Sequence, residues 1–351
     1  MKIKYSFIHK QSLFGLLINK LLPLDKITII LYTTLNWLKK KKLSRLSKQC
    51  IFLTFLIPLF SFIINFPNSS FQIFYPFLFF LGAILVSNKK IKLSWIRNII
   101  FINIIIGIIA VVFSFLGYEN IFSFSLKEKA LPFIYAPYGF SPTQQVYGTL
   151  CIIFLIISFE RKIKDYKFYI TILATLLTLN RCTLLFFFLI IFLYKRKIFY
   201  TLSICILFLI IKYWDIIENV LFSTSTLTSR SDLRKGAELS FWQSQDLMVY
   251  IFGRGNTNVT ETIASKTIWG RSYIEHGFDF ILHCYGFLGT FIILSMLICF
   301  ILNLAKKKQW KYFFICSFYF LFEQLLTHEL LASSFFFVLT TILILSKQYK
   351  Y

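Results

Sequence analysis

The chain has 351 residues, of which 57% are hydrophobic, 20% aromatic and 15% charged, and its net charge is +23. That balance argues against a water-soluble protein, because the apolar runs lack the polar stripe that a helix at a protein–water surface carries. Nucleic-acid binding is not implied either. Most lysines sit in short clusters between apolar runs, such as "KKKKLSRLSK" and "AKKKQWK", which is the positive-inside signature of a membrane protein.

Spans are expected where about 20 apolar residues cover the hydrocarbon. In chain order the clear ones are Cys50 to Phe66, Phe71 to Ser87, Asn98 to Gly117, Gln145 to Phe159, Ile198 to Trp214, Phe278 to Leu304, Tyr312 to Leu326 and Leu330 to Leu345. Residues 13–37 are interrupted by Lys20, Pro23, Asp25 and Lys26, and read as two short crossings or an interfacial helix. Nothing resembling a small-residue cleavage site follows the basic start, so no removable signal peptide is expected. The stretch from Phe168 to Tyr194 is either one helix with Arg181 at its middle or two helices meeting at "NRC". Two crossings keep the basic clusters on one side and spare the cost of an arginine at mid-bilayer, about 2.5 to 3.5 kcal/mol. The expected fold is an all-α polytopic membrane bundle, a single transmembrane domain over residues 1–351, with roughly 10 to 12 spans.

This topology leaves two outer loops, 118–144 and the larger 215–277 between two late helices. The seven cysteines lie in or beside apolar runs without a CxxC pair, which reads as packing and not as a disulfide framework or metal site. Five of the nine arginines, Arg181, Arg230, Arg234, Arg254 and Arg271, fall on the outer side, against the charge bias. A guanidinium offers a planar fork of donors suited to phosphate. The competing reading is surface ion pairing, since the larger loop also holds seven carboxylates. "GRGNTN", from Gly253 to Asn258, is glycine-rich enough for a turn whose amides face an anion.

The start of the span after that loop reads "IEHGFDFILHCYGFLG". On a helix Glu275, Asp279 and His283 line one face, with His276 beside it. Glu275 suits a helix cap, and Asp279 a wall of an outward cavity. His283 suits hydrogen-bonded packing. Gly286 and Gly289 permit close approach of another helix. His328, in "THEL", is a second cavity candidate.

The order of Arg181 in "LTLNRCTLL", then "RSDLRKGAELSFW" and "IFGRGN", then an acid or histidine at a helix start eleven residues before "GFLG", resembles the bacterial O-antigen polymerase and O-antigen ligase superfamily. The resemblance covers roughly Asn180 to Gly289 and the overall hydropathy. It implies a glycosyltransferase of the bacterial inner membrane, acting at the periplasmic face without a metal or other cofactor and with inversion at the anomeric carbon. Its substrate would be an oligosaccharide on undecaprenyl pyrophosphate. The implied partners are membrane lipid, a chain-length regulator and a flippase. The resemblance places Arg181, Arg230, Arg234, Arg254 and Arg271 around pyrophosphate and Glu275 or His276 as base. Ligases carry a histidine followed by asparagine where this chain has Glu275, so polymerisation is favoured over transfer to lipid A core. A lipid-linked oligosaccharide flippase would spread its cations over both halves of the chain, whereas these cluster after residue 180.

Overall fold

The computed structural model describes residues 56–66, 69–87, 92–118, 120–126, 131–212, 214, 234–244, 246–257, 274, 276–325 and 329–348. The N-terminal stretch 13–37 lies outside them. The described chain is mostly helical. Two of its helices, Leu93–Phe115 and Gly277–Lys306, are long and apolar enough to cross a membrane. The described residues fall into two units, each discontinuous in sequence. One draws on the segments between Phe79 and Phe222 and from Ala332 onward; the other on those up to Leu78 and between Ser223 and Leu331.

Residues 56–64 form α1, and α2 spans Tyr75–Ser87 after a 3-10 turn at Phe71–Phe74. In the first unit follow α3 (Leu93–Phe115), α4 (Gln144–Glu160), α5 (Tyr166–Leu177), α6 (Arg181–Tyr194) and α7 (Arg196–Lys212), with α12 (Ser333–Gln348) closing it. Helix α4 is its core. Every residue from Gln145 to Ser158 is buried, because the helix is apolar all round and packs against α3, α5, α6 and α12. Gly148 lets α6 touch it: a Cβ there would lie 2.1 Å from Thr183 Oγ1.

One end of this unit is fastened by charge. Asp165 caps α5, accepting from the Phe168 amide at 3.2 Å, and pairs with Arg97 of α3. Arg97 Nε also donates to Ser158 Oγ at 2.9 Å, and its guanidinium lies 4.5 Å above the Phe154 ring. That guanidinium holds the Asp165 carboxyl below the usual carboxylate range.

The expectation of an all-helical chain needs one correction. Inside the 118–144 loop, β1 (Ser123–Leu126) and β2 (Leu131–Pro137) pair antiparallel. The alternation Phe-Ser-Phe-Ser is a strand period, overlooked beside the longer apolar runs. The loop is anchored by buried Asn103 of α3, which accepts from the Phe140 amide at 2.7 Å and donates to Ser141 Oγ at 3.1 Å.

Between α5 and α6 the chain breaks at Thr178–Asn180, so the two-helix alternative describes this region. Leu179 adopts φ +45°, a strained turn for a branched side chain. Asn180 then caps α6, accepting from the Cys182 and Thr183 amides at 3.0 and 3.2 Å.

The second unit contains α8 (234–242), α9 (Leu247–Phe252), α10 (Gly277–Lys306) and α11 (Trp310–Ser317). After α11 the backbone winds into a π turn at Phe318–Phe322 and a 3-10 turn at Glu323–Leu325. Helix α10 is interrupted at Gly286, with φ +62° and ψ −166°. The expectation that this glycine admits a neighbouring helix holds, since the end of α9 and the turn after it pack against the break. A Cβ on Gly286 would lie 2.5 Å from the Ile251 carbonyl oxygen, and one on Gly253 2.4 Å from the Cys284 carbonyl carbon.

Candidate functional site at the head of the long helix

Helix α10 begins at Gly277, with His276 as its cap in extended conformation. Asp279 and His283 both lie on this helix, while Glu275, the third residue expected on their face, lies outside the described residues. The capping role passes to His276, whose Nδ1 is 3.3 Å from the Asp279 amide. The Asp279 carboxylate, in the first turn, meets the positive end of the helix dipole.

Two ionisable side chains converge on that carboxylate. Its Oδ2 is 3.1 Å from His276 Nδ1 and 3.5 Å from Arg234 Nε. Arg234, on α8, spends its single Nε proton on Glu238 Oε1 at 3.0 Å. Asp279 Oδ2 is shut from solvent and receives no hydrogen bond in this arrangement, so the proton donor within reach is His276 Nδ1. That nitrogen faces two incompatible bonds. Bare, it accepts from the Asp279 amide; protonated, it donates to the carboxylate. In the second state a neutral imidazole leaves Nε2 as the free base.

Arg254 sits on the turn that enters the α10 break. Its amide donates to the His283 carbonyl at 2.6 Å and the Gly255 amide to the Cys284 carbonyl at 3.1 Å, meeting acceptors that the Gly286 break leaves without helical donors. Ser61 Oγ donates to the same Cys284 carbonyl at 2.7 Å, and Asn65 Nδ2 to the Gly253 carbonyl at 3.1 Å. Arg254 Nε donates to the Ser240 carbonyl of α8 at 3.2 Å. Its guanidinium is half-buried, its terminal nitrogens engage no described residue, and such a fork suits an oxyanion.

His283 is 1% exposed, and its Nε2 donates to the Thr257 carbonyl at 3.0 Å. That is the packing role its sequence suggests.

An aromatic band lies beside these charges. Trp242 stands 8 positions after Arg234, and Phe287 stands 8 after Asp279, so the pairs Arg234–Asp279 and Trp242–Phe287 put α8 and α10 side by side in one direction. The band is about 12 Å from the charges at 1.5 Å per residue. Phe287 is 49% and Trp242 56% exposed, and Tyr250 stacks on Phe287 with centroids 6.4 Å apart. The Tyr250 hydroxyl is tied to the Trp242 and Ser244 carbonyls at 3.0 and 2.7 Å.

The structure thus brings together His276, Asp279 and Arg234, with Arg254 linked to the same two helices through backbone. Arg181 belongs to the other unit, where it is the half-exposed first residue of α6, a position the helix dipole disfavours for a cation. Arg230, Arg271, Glu275 and His328 lie outside the described residues.

Two residues of a polar group under the helix head, Glu323 and Gln324, were passed over in the sequence. Glu323 and Gln324 are fully buried and Glu329 is 1% exposed. Gln324 Oε1 accepts from the Glu329 amide at 3.1 Å, the Tyr319 hydroxyl donates to Glu329 Oε2 at 2.9 Å, and a Cβ on Gly277 would lie 2.8 Å from the Gln324 carbonyl oxygen. The signal was available, since Glu and Gln interrupt the apolar run "FYFLFEQLL". Compared with known proteins, no family model matches this chain and no curated protein does.

Proposed function

We propose that this chain is a polytopic membrane glycosyltransferase that polymerises oligosaccharide repeats carried on undecaprenyl pyrophosphate, at the periplasmic face of a bacterial inner membrane. The observation that carries this reading is the meeting of His276, Asp279 and Arg234 at the head of a 30-residue apolar helix. Large apolar side chains turned outward support the membrane part. Phe291 is 70% and Ile211 72% exposed, an arrangement that suits lipid and not water.

In this mechanism the acceptor sugar hydroxyl attacks the anomeric carbon of the lipid-linked glycan from the face opposite the pyrophosphate. The new glycosidic bond forms as the old carbon–oxygen bond breaks. His276 Nε2 takes the hydroxyl proton, and Asp279 stabilises the imidazolium through Nδ1. The departing pyrophosphate keeps the bonding pair and is received by the Arg254 guanidinium and by Arg234. The prenyl chain lies over Trp242, Tyr250 and Phe287. Glu275 remains the alternative base.

Purified protein given a lipid-linked repeat should yield a ladder of polymers, and His276→Ala should reduce it by roughly 100-fold or more. No ladder from the wild-type protein would overturn the reading. One observation favours the ligase alternative: a histidine occupies the helix cap itself. Deleting the gene separates the two, because single-repeat surface chains mean polymerase and polymers stranded on the lipid carrier mean ligase.

A further inference from the structure

The first unit holds a second basic site, unrelated to the cluster at the head of α10. Where α3 begins and α4 ends, a cavity of about 490 Å³ opens to the surface. Lys92 and Arg161 supply charge to it, Ser94 and Gln348 hydrogen-bonding groups, and Ile157 and Ile163 an apolar wall. Among the described residues no carboxylate lines it. The acids nearest in sequence are engaged elsewhere: Asp165 with Arg97, and Glu160 with the Tyr194 hydroxyl. Arg161 Nη2 donates to Gln348 Oε1 at 3.2 Å, which fixes the guanidinium at the rim and leaves its other donors unused by described residues. Lys92 is the cap residue of α3, makes no side-chain cap bond, and no acid occupies the first turn of that helix. The helix dipole therefore adds to the field of the two cations instead of being neutralised.

We propose that this cavity binds the anionic phosphate headgroup of a membrane lipid, with the lipid's glycerol and upper acyl carbons against Ile157 and Ile163. Two cations that no described acid pairs select an anion. An apolar wall at the ends of apolar helices selects an amphiphile over a free ion. Lys92 and Arg161 belong to the basic clusters "NKKIKLSWIR" and "RKIKDYK", which the charge bias assigns to the cytoplasmic face, where anionic lipids are enriched. The inference rests on the membrane reading of the fold and is independent of glycosyl transfer.

The test is native mass spectrometry of the full chain in detergent, with phosphatidylglycerol and phosphatidylcholine supplied in equal amounts and, separately, with inorganic phosphate alone. The wild-type protein should retain phosphatidylglycerol selectively. The double variant Lys92→Gln, Arg161→Gln should lose roughly thirtyfold in that selectivity, while Lys92→Arg, Arg161→Lys keeps most of it. Equal retention of the two lipids by the wild-type protein would overturn the proposal, a result that needs no variant to fold. Undiminished selectivity in the double variant would also overturn it, and so would binding of inorganic phosphate without binding of phosphatidylglycerol.

Discussion

A carboxylate 3.1 Å from an imidazole nitrogen and 3.5 Å from a guanidinium can serve the base or the cation, and substitution separates the two roles. Asp279→Asn removes the charge that favours Nδ1–H on His276 while keeping the side chain's shape. It should lower kcat by roughly 100-fold or more and leave KM for the lipid-linked donor nearly unchanged. If KM alone rises, Asp279 serves Arg234 and the base lies elsewhere. Arg254→Ala should do the reverse, raising KM for the donor by about tenfold or more, and Arg254→Lys should recover only part of it because an ammonium lacks the fork. Steady-state kinetics on the purified protein reads both.

Asp165 tests a purely structural charge. Arg97 lowers its folded-state pKa, so the pair's stabilisation is fully present above the unfolded carboxylate pKa, near 4, and is lost as pH falls through the lower folded value. The melting temperature of wild-type protein should therefore drop across that acid window, whereas Asp165→Asn should melt lower at neutral pH and change less below it. The Arg97 side chain is 7% exposed but Asp165 is 33% exposed, so water screens the pair and losing the anion costs on the order of 1 kcal/mol. A melting curve for Asp165→Asn that tracks wild type at every pH would show the pair to be idle.

At the scale of elements, the Gly253 turn and the Gly286 break are two halves of one device. Both glycines have positive φ, and a Cβ on either would meet the other segment's backbone. Gly286→Ala should destabilise the second unit by roughly 3 kcal/mol and speed hydrogen exchange at the Arg254 and Gly255 amides, whose acceptors are the carbonyls freed by the break. Unchanged exchange would mean that the turn is held by Ser61 and Asn65 alone. Hydropathy reads α10 as one span because it senses side chains and not φ, so the run from Phe278 to Leu304 showed its length but hid its break. The head of α10 was legible for the opposite reason: His276 and Asp279 are costly in an apolar run and stand out. The one-residue shift that makes His276 the cap, not Glu275, depends on backbone geometry that spacing does not encode. Leu179 is a similar case, an ordinary leucine in sequence and a strained turn just before Arg181 in structure.

For the whole molecule, the proposed topology is open to labelling. Tyr118→Cys, at the end of α3, should react with an impermeant maleimide in intact cells, and Lys307→Cys, at the end of α10, should react only after the membrane is opened. Matching reactivity at both sites would remove an odd number of crossings between them and with it the outer placement of the arginines. The helical character of the chain followed directly from its apolar runs, but its division into two interleaved units did not, because no local pattern reports which distant segments pack together. That interleaving has a consequence in time. The first unit extends to Phe222 and then lacks α12 until the chain reaches Ser333, while α1 waits for α10 to bring Cys284 to Ser61. At about 5 to 20 residues per second, the first unit is held incomplete for on the order of 5 to 20 seconds of synthesis. During that interval the buried face of α4 that α12 covers stands open to whatever lipid or insertion factor is at hand.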